Sequence, residues 1–123
     1  MVKYIPPDAN LIEPFVGDGD LLNLFPEHNW ETYDIQKIEN CIVQDTLKNP
    51  PQYKGKWVIT NPPYLAKNKA EDKSIFMQYD TDDLYKAALL SVLDAEGGIF
   101  IIPTNFLTDE RTGAVRAKFL NQF

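Results

Sequence analysis

Trp57-Val58-Ile59 and Ile99-Phe100-Ile101-Ile102 are apolar at every position, with no polar residue in alternation. A strand with one wet face alternates; a strand buried on both faces does not, and burial on both faces is the condition of a parallel sheet. Further short runs at 10–12, 30–35 and 41–43 are β-branched or aromatic and bounded by turn formers. Together with 56–60 and 99–102 they predict five strands. Helical stretches fall between and after them: a brief one at 21–25 stopped by Pro26, one over about 81–93, and one over about 110–121. Thr81 is the expected N-cap of the middle helix, with Asp82 and Asp83 at the positive end of its dipole and Gly97-Gly98 closing it. Strands alternating with helices predict an α/β doubly wound, mainly parallel sheet.

At 123 residues and 44% hydrophobic content the chain suits one globular core. No apolar stretch reaches the roughly 20 residues that span a bilayer. The single cysteine, Cys41, has no internal disulfide partner and no His or Cys cluster beside it, so core packing in a reducing, cytoplasmic compartment is expected. His28, between Glu27 and Asn29, is read as a solvated loop residue. A net charge of −6 makes the chain as a whole a poor ligand for polyanions.

Chemistry in such a sheet sits beyond the carboxyl ends of the strands, where the strand order reverses. Four features occupy such ends. Phe15-Val16-Gly17-Asp18-Gly19-Asp20 follows the first strand; its glycines permit a sharp turn and close approach to a ligand, or simply an ordinary tight turn. It has neither a G-x-G-x-x-G spacing nor a Walker lysine, and its aspartates favour a cationic group over a phosphate. Tyr33-Asp34-Ile35 places an acid about 20 positions beyond that turn, suited to paired ribose hydroxyls or to plain solvation. Gln44-Asp45-Thr46 puts a carboxylate where it suits an adenine amine or a helix cap. Thr60-Asn61-Pro62-Pro63-Tyr64 is the fourth. Two prolines leave Asn61 and Pro62 few conformations, so the Asn61 side-chain oxygen and the Pro62 carbonyl are aimed at one point, with the flat Tyr64 ring just beyond. Two acceptors on one point suit a planar NH₂ group.

In that order, E-P-F-V-G-D-G, Y-D-I, Q-D-T and T-N-P-P-Y, the sequence resembles the amino-group DNA methyltransferases that use S-adenosylmethionine (AdoMet). The wording E-P-F-V-G-D-G-D-L-L and N-P-P-Y-L-A-K-N-K is most similar to adenine-specific members of bacterial restriction–modification systems. The resemblance runs from about Ile12 to Leu107. It implies that Glu13, Phe15, Gly17 and Gly19 line the methionine end of AdoMet, that Asp34 holds the ribose, and that Ile35 packs on the adenine whose amine Asp45 binds. It also implies that Asn61, Pro62, Pro63 and Tyr64 form the catalytic turn. The target adenine would be flipped out of duplex DNA, with Tyr64 stacked on it. No metal is implied.

The family's sheet has seven strands and this sequence accounts for about five, with nothing resembling a target-recognition domain. The expectation is therefore a single partial catalytic domain over 1–123, whose fifth strand exposes an edge for self-association or for a partner chain. Lys67, Lys69 and Lys73 lie in a stretch, 65–80, without clear structure, read as a solvated loop or a DNA-facing lid; Arg111, Arg116 and Lys118 form a second basic group. Phe106 is read as lining the base pocket or packing in the core. Two other functions stay open: methylation of a glutamine amide or of RNA through the same N-P-P-Y chemistry, and a non-catalytic module that binds AdoMet or a partner.

Overall fold

The computed structural model describes residues 5–102. The expected helix at 110–121, Phe106, and the basic residues Arg111, Arg116 and Lys118 lie outside the described residues.

Five strands form one sheet: β1 (Asn10–Glu13), β2 (Asn29–Asp34), β3 (Ile42–Val43), β4 (Trp57–Thr60) and β5 (Gly97–Phe100). Their order is β3-β2-β1-β4-β5 and every pairing is parallel. This is an α/β architecture with the strand order of a Rossmann-like sheet, reversing direction between β1 and β4. Right-handed crossovers in such an order send the β1–β2 and β4–β5 connections over opposite faces. Among the described residues β3 and β5 are the two edges, and no helix is long and apolar enough to cross a membrane.

In the central strands the apolar side chains are buried as the parallel geometry demands, Leu11, Ile12, Val58 and Ile59 being at most 1% exposed. The expectation of burial on both faces fails for 99–102: β5 is an edge strand among the described residues, and Ile99 and Ile101 are 45% and 47% exposed. Ile12 and Val58 are register partners, and with Tyr33 and Tyr53 they meet Tyr85, Leu89 and Val92 of the helical segment before β5. Burying each such aliphatic side chain is worth about 1.5–3 kcal/mol.

That segment comprises two helices, α1 (Ser74–Tyr79) and α2 (Leu84–Ser91). The stretch at 65–80 is thus ordered, a 3₁₀ turn (Lys67–Lys69) followed by α1, because Ile75 packs against Ala87 and Ala88 of α2 and Leu47, and Phe76 beside it is fully buried. The expected cap also moves. Asp83, not Thr81, is the N-cap of α2: its backbone is extended and its Oδ1 accepts from Tyr85 N at 3.3 Å. The same oxygen takes Leu65 N at 3.1 Å, so one carboxylate starts the helix and pins the chain after the double proline.

Gly97 and Gly98 do not close a helix. They are the first residues of β5, paired with Trp57 and Val58. A Cβ on Gly97 would lie 2.6 Å from Cζ3 of the Trp57 indole, and one on Gly98 would collide with the Val58 carbonyl oxygen, a backbone atom that cannot step aside. The pair is required by a close approach of strands, not by a turn. His28 likewise departs from a solvated reading: its Nε2 donates to Pro6 O at 3.1 Å and its ring stands edge-on to Phe25 at 5.5 Å. Cys41 is partly buried just before β3, and no metal-binding cluster occurs among the described residues.

Candidate active site

The loop leaving β1 is organised by carboxylates. Glu13, 2% exposed, accepts from Phe15 N at 2.9 Å through Oε1. Gly17 and Gly19 adopt left-handed conformations, φ +56° and +80°, and Gly19 opens the short 3₁₀ helix Asp20–Leu24. A Cβ on Gly17 would meet no protein atom within 4 Å, because the position faces open space in a cavity wall. The turn is fastened to the next strand twice: Val16 N donates to Tyr33 O at 3.0 Å, and Gly17 N to Oδ2 of Asp34 at 2.8 Å. Asp34 also takes Gln36 N at 2.8 Å through Oδ1. It is therefore not a solvated strand-end acid. It is 9% exposed and acts as the hub joining the loops after β1 and β2, with lone pairs remaining on both oxygens.

After β3, Asp45 accepts from Leu47 N and Lys48 N, both at 3.1 Å, through Oδ1. No helix follows among the described residues, so Asp45 closes a tight turn and does not cap a helix, and the same side chain stands in the cavity wall. Thr46, buried, ties this loop to the first through Oγ1 donating to Pro14 O at 3.1 Å.

The β4 turn is held differently. Pro62 is buried, Pro63 half-buried, Asn61 and Tyr64 exposed. Ile101 N donates to Thr60 O at 3.0 Å, carrying the β4–β5 ladder one step past the strands. Tyr64 Oη donates to Ile101 O at 2.5 Å and lies 3.2 Å from Oδ1 of Asn61. Its ring is perpendicular to that of Tyr85, centroids 5.7 Å apart.

Two cavities open at the reversal point. The larger, about 540 Å³, is walled by the ends of four strands: Phe15 and Gly17 after β1, Asp34 and Ile35 after β2, Asp45 after β3, and Asn61 with Pro63 after β4. Ile75 and Phe76 of α1 complete it. The smaller, about 260 Å³, is lined by Glu13, Asp18 and Asp20 with Val16 and Leu21. Phe15, Gly17 and Asn61 belong to both. Of the eleven residues singled out by sequence, Gly19, Pro62 and Tyr64 line neither. Sequence reasoning missed α1's contribution and Lys48, which spans the rim to Asp72 at 3.4 Å. The Ile75-Phe76 pair with Tyr79 one helical turn on was the available signal for α1.

Electrostatics select the occupant. The smaller cavity has three carboxylates and no lysine or arginine in its lining. Burial pushes Glu13 from its usual 4.5 up to about 8, and the nearby Asp34 adds to the rise. The Thr60 hydroxyl, buried beside it without reaching hydrogen-bond geometry, and the Phe15 N–H only partly offset this. A buried carboxyl with no cation is held protonated at neutral pH; a cationic group in the cavity would relieve it. Polyphosphates are disfavoured by the same charge. The chain matches no protein-family model, and no curated protein matches it significantly.

Proposed function

We propose that the protein binds S-adenosylmethionine and transfers its methyl group to the exocyclic amine of adenine in DNA. One observation carries the reading: Asn61, an acceptor on a stiff turn, stands where a nucleoside-sized cavity meets an acid-lined one. AdoMet is a nucleoside joined through a cationic sulfonium to an amino acid that carries an ammonium group, so the junction is where its methyl group belongs. The residues fit it: Asp34 and Asp45 for the ribose and adenine, Ile35 for the ring face, Glu13 for the positive charge, and Gly17 where a Cβ would intrude on the ligand. When bound, AdoMet supplies an electrophilic methyl group.

The chain's own residues supply position and charge. An aromatic amine is a weak nucleophile because its lone pair is delocalised into the ring. Accepting its hydrogens at Asn61 Oδ1 and at the Pro62 carbonyl returns electron density to nitrogen and aligns it, and positioning with electrostatic stabilisation accounts for most of the rate. The acceptor is a base flipped from duplex DNA, for which the half-exposed Tyr64 ring offers a stacking surface.

Calorimetric titration with AdoMet, followed by transfer of labelled methyl from AdoMet to random-sequence duplex DNA, tests this. Saturable one-site binding and label recovered as methylated adenine are expected. Label in RNA or in a glutamine-containing peptide instead would move the substrate class, and absence of AdoMet binding by the folded chain would sink the reading.

A further inference from the structure

A tyrosine hydroxyl carries one proton, and Tyr64 Oη has two oxygens within reach, Ile101 O at 2.5 Å and Asn61 Oδ1 at 3.2 Å. The carbonyl can only accept, and it is nearer, so the proton belongs there. Two oxygens facing each other at 3.2 Å with no proton between them are unfavourable, whereas a half-turn of the Asn61 carboxamide puts an N–H in that gap. The resulting chain runs from Asn61 Nδ2–H to Tyr64 Oη, and from Tyr64 O–H to Ile101 O. Each bond polarises the next.

We propose that the Tyr64 hydroxyl is a positioning group that fixes which end of the Asn61 carboxamide faces the site. This rests on the methyl-transfer reading for its purpose: an amine substrate needs the carboxamide oxygen, and an unrestrained amide would present NH₂ for part of the time. Three further facts make the restraint firm. Ile101 is itself anchored, its N–H bonded to Thr60 O, so one residue holds the turn at both residue 60 and residue 64. The Tyr64 ring is braced against Tyr85, which is 4% exposed. The two prolines between remove the backbone freedom that would let Asn61 and Tyr64 drift apart. The ring's apolar contacts and the hydroxyl's polar ones are separable, which makes the inference testable by one oxygen.

Tyr64→Phe keeps the ring and removes the hydroxyl. Expected is a fall in kcat of about tenfold, the upper range for one neutral hydrogen bond, with AdoMet affinity and the KM for DNA within about twofold. In an Asn61→Asp background the same change should do nothing further, because a carboxylate presents the same two oxygens whichever way it turns. Equal losses in both backgrounds would mean that the hydroxyl merely stiffens the loop and would overturn the positioning role, as would full kcat in Tyr64→Phe. A readout independent of catalysis is the ¹⁵N-resolved side-chain NH₂ of Asn61: its downfield, exchange-protected proton should lose protection in Tyr64→Phe, while the Gly17 amide, bonded to Asp34, does not change. An unchanged Asn61 signal overturns the positioning whatever the activity. Failure of the wild-type chain to bind AdoMet overturns the reading beneath it instead, and the amide signal alone then decides whether Tyr64 holds Asn61.

Discussion

The two halves of the site are built on different principles. On the β1–β2–β3 side, three carboxylates, Glu13, Asp34 and Asp45, receive the backbone N–H groups of Phe15, Gly17, Gln36, Leu47 and Lys48. The loops there take their shape from the side chains that would also meet the ligand. On the β4–β5 side the shape comes from two prolines, from Ile101 and from Asp83, which lines neither cavity, and the Asn61 carboxamide meets that scaffold only at the Tyr64 hydroxyl. Function and scaffold are fused in the first half and separate in the second. Substitutions on the first side should therefore cost stability and binding together, while those on the second should cost chemistry alone.

Asn61→Ala is the sharpest test and has the largest expected effect. Removal of a group that stabilises developing charge costs a hundredfold to a thousandfold in kcat, by analogy with oxyanion donors. Because Asn61 is exposed and outside the backbone ladder, the urea midpoint and the AdoMet affinity should not change. A substantial drop in either would place Asn61 in the scaffold and erase the contrast.

Asp34→Ala should show the opposite pattern, lowering stability by about 1.5–3 kcal/mol as the two N–H groups lose a charged acceptor, and weakening AdoMet at the same time. Asp34→Asn, which keeps an acceptor for one of them, should recover part of the stability. If chemical denaturation finds Asp34→Ala as stable as wild type, the hub is not structural and the fused half is misdescribed.

A third test concerns pH. Glu13 is raised from 4.5 to about 8, so below 4.5 it is protonated in both folded and unfolded chains and imposes no penalty. As pH rises through that window the unfolded chain ionises first, and stability falls by about 1.4 kcal/mol per pH unit until Glu13 itself ionises near 8. Glu13→Gln, which retains an acceptor for Phe15 N–H, should remove that part of the slope, measured as the difference between wild-type and variant denaturation midpoints from pH 5 to 8. A cationic ligand should bind the wild-type chain more tightly as pH approaches 8. Parallel midpoint curves for the two proteins would show that Glu13 ionises normally.

Strand positions were legible where burial on both faces left its mark, as in Val58-Ile59, and the motifs at strand ends located eight of the cavity-lining residues in advance. What escaped was decided by partners far away in sequence. Gly97 and Gly98 look like a helix stop until Trp57 and the Val58 carbonyl are seen across from them. Asp34 looks solvated until Gly17 N arrives from the previous loop. Thr81 and Asp83 are equally good caps by composition; Leu65 N chooses between them. The six-residue α1 shows only one turn of apolar spacing, and exists because α2 and Leu47 give Ile75 something to bury against. The hydroxyl of Tyr64 has its partner at Ile101, which no local pattern reveals.

The central place of β1 has a kinetic consequence. Its first neighbour, β2, follows at once, so the pairing of Asn10 with Asn29 closes a short loop, but its second neighbour pairs Leu11 with Trp57 across all of β2 and β3. Such non-local closure is entropically slow and comes late in folding. Both cavities include Asn61, just past β4. During synthesis, then, the carboxylate-bearing loops leave the ribosome well before the strand that completes them, and no partly folded chain lacking β4 possesses the junction. Ligand binding would report the docking of β4, and a ligand present during refolding would accelerate nothing before that step while stabilising the chain after it.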